Sequence, residues 1–128
     1  MFRIGIIGAG WIADKMAEAI APFKDMRVYA IASRSEEKAK QFAQERNIEK
    51  AYGSYEELVA DPMVDLVYIA TPHSHHFPHT MLALEHGKPV LVEKAFTANA
   101  EEAEILIRTA REKGIFITEA IWTRYMPL

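Results

Sequence analysis

The chain has 128 residues, 50% of them hydrophobic and 26% charged, with a formal net charge of -3. That length suits one domain with a real core but is short for a complete two-substrate enzyme, and the charge balance points to neither nucleic acid nor a membrane surface. The absence of cysteine excludes a disulfide framework, a thiolate nucleophile and a cysteine metal site, and with no signal-type apolar segment ahead of the fold the expected location is cytoplasmic.

Arg3 to Ile7 is an apolar, β-branched run stopped by Gly8, too short for a free-standing helix, and it reads as a strand buried on both faces. Gly8-Ala9-Gly10-Trp11-Ile12-Ala13 follows at once and matches the dinucleotide fingerprint whose third position accepts alanine. Gly8 permits the tight turn, Gly10 lets backbone approach a pyrophosphate, and Ala13 lets the helix pack close to the strand. The helix N-terminus then offers N–H groups and a positive dipole end to phosphates. The alternative is an ordinary strand-to-helix turn with no ligand.

Ile12, Met16 and Ile20 recur at helical spacing beside Ala13 and Ala17, and Pro22 ends that helix. Met26 to Ala32 reads as a second strand. Ser35 starts a helix with Glu36 and Glu37 in its first turn, and Asn47 closes it. A short strand at Ala51-Tyr52 precedes Ser54-Tyr55-Glu56-Glu57, which has capping-box spacing, and Asp61-Pro62 ends the small helix it starts. Asp65 to Ala70 is a fourth strand, broken by Thr71-Pro72. A histidine-rich loop then leads to a helix from Met81 to His86, stopped by Gly87. Pro89 to Val92 is a fifth strand. Asn99 and Glu102 cap a helix with an apolar face of Ala103, Leu106, Ile107 and Ala110, and Gly114 ends it. Ile115 to Thr118 is the sixth strand.

This alternation predicts an α/β chain, a doubly wound parallel sheet of about six strands with helices on both faces and the order 3-2-1-4-5-6. In that order a ligand crevice opens between strands 1 and 4, at the carboxyl ends. The loops after strands 1 to 3 then take the adenosine half of a dinucleotide, and those after strands 4 to 6 surround the nicotinamide. Strand 2 ends in Ala32-Ser33-Arg34, without the acidic residue that accepts from an NAD ribose. A serine hydroxyl and a guanidinium fork bind a 2′-phosphate, with Lys38 a turn further on as a second cation. NADP is therefore favoured over NAD, the alternative being that Arg34 is an ordinary surface arginine.

The loop Thr71-Pro72-His73-Ser74-His75-His76-Phe77-Pro78-His79 invites a zinc site, but its spacing matches no compact ligand pair and it lies where a cofactor belongs. His73 and His76 are expected to line the pocket and His75 and His79 to be solvent-exposed, with His86 a surface residue at a helix end; no metal is expected. Glu93-Lys94, just past strand 5, is the pair best placed for chemistry. A cationic neighbour and partial burial lower a lysine pKa towards acid–base values. A surface salt bridge is the alternative.

The GAGWIA turn, the ASRS end of strand 2, the TPHSHH loop, the VEKAFT stretch and the EAIWTRYMP ending together resemble the Gfo/Idh/MocA oxidoreductases, and within them the dihydrodiol and NADP-dependent D-xylose dehydrogenase branch. The resemblance covers the whole chain. It implies a pyrophosphate turn at Gly8, Gly10 and Ala13, 2′-phosphate recognition at Ser33, Arg34 and Lys38, and a ribose and nicotinamide loop at Thr71, Pro72, His73 and His76. Glu93 and Lys94 match a Glu-Lys-Pro signature whose lysine positions substrate and supports proton transfer, although Ala95 replaces the proline. Trp122 and Arg124 match the segment closing over the nicotinamide end.

The resemblance further implies a C-terminal domain, absent from this chain, that supplies another acid–base group, most of the substrate pocket and a dimer or tetramer interface. The expected function is thus the cofactor-binding half of an NADP-dependent oxidoreductase acting on a sugar or vicinal diol, with residues 1–128 binding cofactor and turning over little. A non-catalytic NADP sensor and a structural domain without cofactor remain as alternatives. Apolar residues near Ile121, Trp122 and Tyr125 are expected to be covered by the second domain.

Overall fold

The computed structural model describes residues 1–93 and 99–120; Lys94, Ala95, Ile121, Trp122, Arg124 and Tyr125 lie outside the described residues, as do the side chains of His73 and Ala120. Strands and helices alternate throughout: β1 (Phe2–Ile7), α1 (Trp11–Ile20), β2 (Met26–Ala32), α2 (Glu36–Arg46), β3 (Lys50–Tyr52), α3 (Tyr55–Val59), β4 (Leu66–Ile69), α4 (His76–Glu85), β5 (Val90–Glu93), α5 (Ala100–Lys113) and β6 (Ile117–Ala120). The strands pair in parallel in the order β3-β2-β1-β4-β5-β6, the doubly wound order expected.

Period-two alternation divides the apolar side chains between two faces. Ile4, Ile6, Ile31 and Tyr68 pack beneath α1 and α2, against Ala13, Met16 and Phe42. Ile7, Ala32, Val67 and Val90 pack beneath α3, α4 and α5, against Leu58, Leu84 and Leu106. Three helices start on their own side-chain caps: Ser35 Oγ accepts from the Lys38 N–H, Ser54 Oγ from Glu57 and Asn99 Oδ1 from Glu102.

The structure departs from the sequence reading most at two element starts and at one side chain. Helix α4 begins at His76, ahead of the expected Met81, because Pro78 falls in its first turn, where backbone N–H groups have no intrahelical partner and proline removes nothing. Strand β6 begins at Ile117, since the Ile115 N–H turns back to the Ala110 carbonyl and closes α5 around Gly114, whose φ is 67°. On α5, Leu106 and Ala110 are buried but Ile107 is 44% exposed. The buried stripe is narrower than expected because this helix packs at the end of the sheet.

One buried polar knot joins β3 to the α3–β4 loop. Asp61 accepts the Tyr52 hydroxyl at 2.7 Å and the Met63 N–H at 2.8 Å, and the Lys88 ammonium donates to the Asp61 and Val64 carbonyls, both at 2.8 Å. Burial by itself would raise the Asp61 pKa, but these donors hold it below the usual value, and burial with the same bond pushes the Tyr52 hydroxyl up. The carboxylate therefore contributes stability above its unfolded-state pKa and loses it as pH falls through the lower folded-state value. Tyr52→Phe should cost about 1.5–3 kcal/mol at pH 7 and clearly less at pH 3, as read by urea unfolding at the two pH values.

Candidate functional site

The site begins where β1 runs out. Ile7 pairs with Ala32 on one side and Ile69 on the other, and the last backbone bonds run from the Gly8 N–H to Ala32 (2.8 Å) and from the Ala70 N–H to Ile7 (2.9 Å). Beyond them the loops leave for opposite faces of the sheet. Gly8 has φ 104°, and a Cβ there would lie 3.0 Å from the Ala70 carbonyl carbon and oxygen. Conformation and space both demand glycine.

Gly10 is the N-cap of α1, with no side-chain cap, and nothing lies within 4 Å of where its Cβ would project. Asp14, the acidic residue of the first turn, is drawn aside by Arg46 at 2.8 Å. The first N–H groups of α1 are thus left for an anion at the positive end of the helix dipole. Ala13 is fully buried on the inner side of the helix and provides the close packing expected of it, behind the site.

A cleft of ≈ 930 Å³ opens in front of this turn. One wall is Gly8, Ala9, Gly10, Trp11 and Ile12; Trp11 is 68% exposed, with the Lys15 ammonium 5.5 Å from a ring centroid. The second wall carries Ser33, Arg34, Ser35 and Lys38. Ser33 Oγ accepts the Ser35 N–H at 3.3 Å, which leaves the Arg34 and Lys38 side chains exposed at this end. The third wall is Ala70, Thr71, Pro72, His76 and Glu93. The cleft thus gathers the described residues expected for cofactor binding apart from Ala13, and apart from His73, which lies in the 3-10 turn His73–His75 with its side chain outside the described residues.

The histidine loop differs from expectation. His76 is 1% exposed and its Nε2–H donates to the Thr71 carbonyl at 2.8 Å, since a carbonyl only accepts. His79, expected in solvent, is half-buried: its Nδ1 and the Thr71 hydroxyl share a hydrogen bond of 2.9 Å, and its ring meets Tyr55 edge-on with centroids 4.4 Å apart. His75, also expected in solvent, is partly covered, its ring centroid 5.6 Å from that of His79. Early onset of α4 carries His79 inward, and His75 is its N-cap residue. Burial, followed by the charges of His75, His76 and Arg34, lowers the His79 pKa to about 4. His86 is exposed at the end of α4, as expected.

Glu93 is the last residue of β5 and not part of a loop beyond it. It is 7% exposed and accepts the hydroxyl of Tyr68, which is itself completely buried. Burial, then the bond to Glu93, pushes the Tyr68 pKa upward, so the hydroxyl remains a donor. Glu93 is therefore a built-in part of the sheet end and not the exposed half of a surface ion pair. The sequence reading missed Tyr55. Its place at the start of α3 was legible, but not that Gly53, whose Cβ would come 2.9 Å from Glu36 Cβ, presses this loop against the start of α2. Among the described residues no group of three or more His, Cys, Asp or Glu is placed to hold a metal ion, and no helix is long and apolar enough to cross a membrane.

Residues 2–120 match the profile of the Gfo/Idh/MocA oxidoreductase family, described by its NAD-binding Rossmann fold. The chain belongs to this family. It is 52% identical to the D-xylose 1-dehydrogenase (NADP(+)) of Hypocrea jecorina, covering 97% of this chain and 35% of that protein. It is 46% identical to the trans-1,2-dihydrobenzene-1,2-diol dehydrogenase of Mus musculus, over 98% of this chain and 38% of the relative. A 3-ketoreductase from Actinomadura kijaniata, solved in complex with TDP-benzene and NADP in an open conformation, superposes with a TM-score of 0.91 at 34% identity, covering 98% of this chain and 40% of the other. The chain thus spans little more than a third of the curated relatives it matches.

Two variants probe this geometry. Gly8→Ala should cost about 1–3 kcal/mol in urea unfolding, from a positive φ and a backbone clash together. Because His79 takes a proton less readily in the folded than in the unfolded chain, the wild type should lose stability as pH falls from about 6.5 towards about 4, and His79→Gln should flatten that slope; an imidazole NMR titration should place the His79 midpoint near the lower end.

Proposed function

We propose that this chain is the NADP-binding half of an oxidoreductase that moves hydride between NADP and a carbon of a sugar or vicinal diol. The observation that carries the cofactor choice is the end of β2, where Ser33, Arg34, Ser35 and Lys38 line the cleft and no carboxylate does. A carboxylate there would repel a 2′-phosphate, whereas a guanidinium takes two of its oxygens at once. The names of the D-xylose dehydrogenase relative and of the ketoreductase complex, both of which carry NADP, support the same choice.

The chain's residues divide the work. The uncapped N-terminus of α1 and the open side of Gly10 receive the pyrophosphate. Arg34 and Lys38 take the 2′-phosphate. Thr71, Pro72 and His76 form the wall towards the nicotinamide, with His76 fixing the Thr71 carbonyl. When bound, NADP supplies the hydride acceptor. Lys94 follows Glu93 in sequence and is assigned the proton: in the oxidising direction it accepts the hydrogen of the substrate hydroxyl while the carbon loses hydride, leaving a carbonyl. Glu93, anchored by Tyr68, fixes where β5 ends. Trp122 and Arg124 are assigned to the nicotinamide end on the resemblance of their segment alone.

The remainder of the substrate pocket and any homo-oligomer contacts are assigned to a C-terminal domain, because the matched relatives extend well beyond the region covered here. Residues 1–128 should consequently bind cofactor and show little or no turnover, since the part of the pocket that orients a substrate is assigned to the C-terminal domain. Turnover of xylose or a dihydrodiol by this chain would contradict that division.

The test is a titration with NADPH and NADH at one fixed, moderate salt concentration. The wild type should prefer NADPH. Arg34→Ala should weaken NADPH by about tenfold or more, the loss of a charge-assisted hydrogen-bonded pair, while leaving NADH nearly unchanged. An unaltered NADPH to NADH ratio would remove Arg34 from the site.

A further inference from the structure

Asp14 and Arg46 belong to different helices and meet beside the glycine turn. Asp14 is the acidic residue in the first turn of α1, and helix side chains lean towards the N-terminus, so a carboxylate at that position reaches the first N–H groups. Left alone it would compete for them and repel a phosphate brought to them. Arg46, the last residue of α2, prevents this: its Nε donates to Asp14 Oδ1 at 2.8 Å and its Nη2 lies 2.8 Å from the same oxygen.

The guanidinium is itself held. It lies over the Phe42 ring, 3.8 Å from the centroid, and its Nη1 donates to the Phe42 carbonyl at 3.3 Å, with Glu45 at 3.7 Å. Two free surface side chains lose much of their attraction to rotamer entropy. Here stacking and a backbone bond fix one partner beforehand. The pair faces a cleft of ≈ 340 Å³ that Ala9, Gly10 and Trp11 also line, and these three residues are shared with the cofactor cleft, which neither Asp14 nor Arg46 lines.

We propose that Arg46 is a positioning residue for the cofactor: it takes up the Asp14 carboxylate from outside the cofactor cleft and so keeps the α1 terminus available to a pyrophosphate. It acts through Asp14. The proposal rests on the reading of the cleft as a dinucleotide site, but not on the choice of NADP, because NADP and NAD carry the same pyrophosphate.

The experiment measures dissociation constants of NADPH and NADH for the wild-type chain, Arg46→Gln, Asp14→Asn and the double variant, at low and high salt, with urea unfolding of each. Arg46→Gln still covers Phe42 but loses the charge. It should weaken both cofactors alike by about three- to tenfold, the effect of one uncompensated carboxylate near the phosphates, and high salt should shrink the loss. Removing the carboxylate too should bring affinity back to within about twofold of wild type, although resistance to urea stays lowered; a merely structural pair would recover neither. Asp14→Asn alone should bind both cofactors at least as tightly as wild type, and it carries the test if Arg46→Gln folds poorly. A loss confined to NADPH, a double variant as weak as Arg46→Gln, or weaker binding by Asp14→Asn would each overturn the role of Arg46 while the wild type still binds. A wild type that binds neither cofactor would overturn the dinucleotide reading and this role with it.

Discussion

The contact between Gly8 and the Ala70 carbonyl is the constraint on which the site depends. Strand β1 is flanked by β2 and β4, and the chain leaves these neighbours towards opposite faces of the sheet. The two loops must part, and they part immediately beyond a point where a Cβ would stand 3.0 Å from backbone. Any side chain at Gly8 would push the turn forward and tip the start of α1 away from the crevice. The direction of that helix, and so the direction of its unpartnered N–H groups, follows from the absence of one methyl group.

Around this point polar groups are distributed unevenly. Helices α2, α3 and α5 satisfy their first turns with Ser35, Ser54 and Asn99, while α1 presents a glycine. Arg46 reaches from the end of α2 to occupy Asp14, so the acidic residue nearest the α1 terminus is tied back and does not compete for the N–H groups. At the other end of the crevice a carboxylate is retained inside the protein. A buried carboxylate is costly unless donors reach it. Tyr68 reaches Glu93 from within the core, which suits a residue that must end β5 at a defined place.

Most of this architecture was legible because it rests on local patterns. The glycine turn, the β-branched runs and the Ser and Asn caps each act over a few residues, and from them the sheet order follows by rules of connection. What escaped depends on which loops touch. His79 offered no apolar period and follows Pro78, so it read as loop; inside a helix that tolerates the proline in its first turn, the same residue faces Tyr55. Glu93 beside Lys94 left a surface pair open as the alternative to a chemical role, because adjacency in sequence carries no information about Tyr68, a residue on the neighbouring strand. Ile107 belonged to the periodic face by spacing, yet periodicity cannot report how much sheet lies beneath a helix at the edge.

The convergence at Tyr55 has a consequence for electrostatics. Thr71, Tyr55 and Arg34 line the cleft and His79 stands behind the first two, but the histidine is neutral at physiological pH, its pKa held to about 4, and the tyrosine hydroxyl is pushed upward by burial. The positive charge that Arg34 and Lys38 bring to this side is therefore not joined by a His79 imidazolium near pH 7. Neutral groups provide the rigidity and permanent cations provide the field. A protonated His79 would instead be repelled by the Arg34 charge, which already disfavours that proton. The burial that removes the histidine proton follows from the early start of α4, which carries His79 against Tyr55 and Thr71.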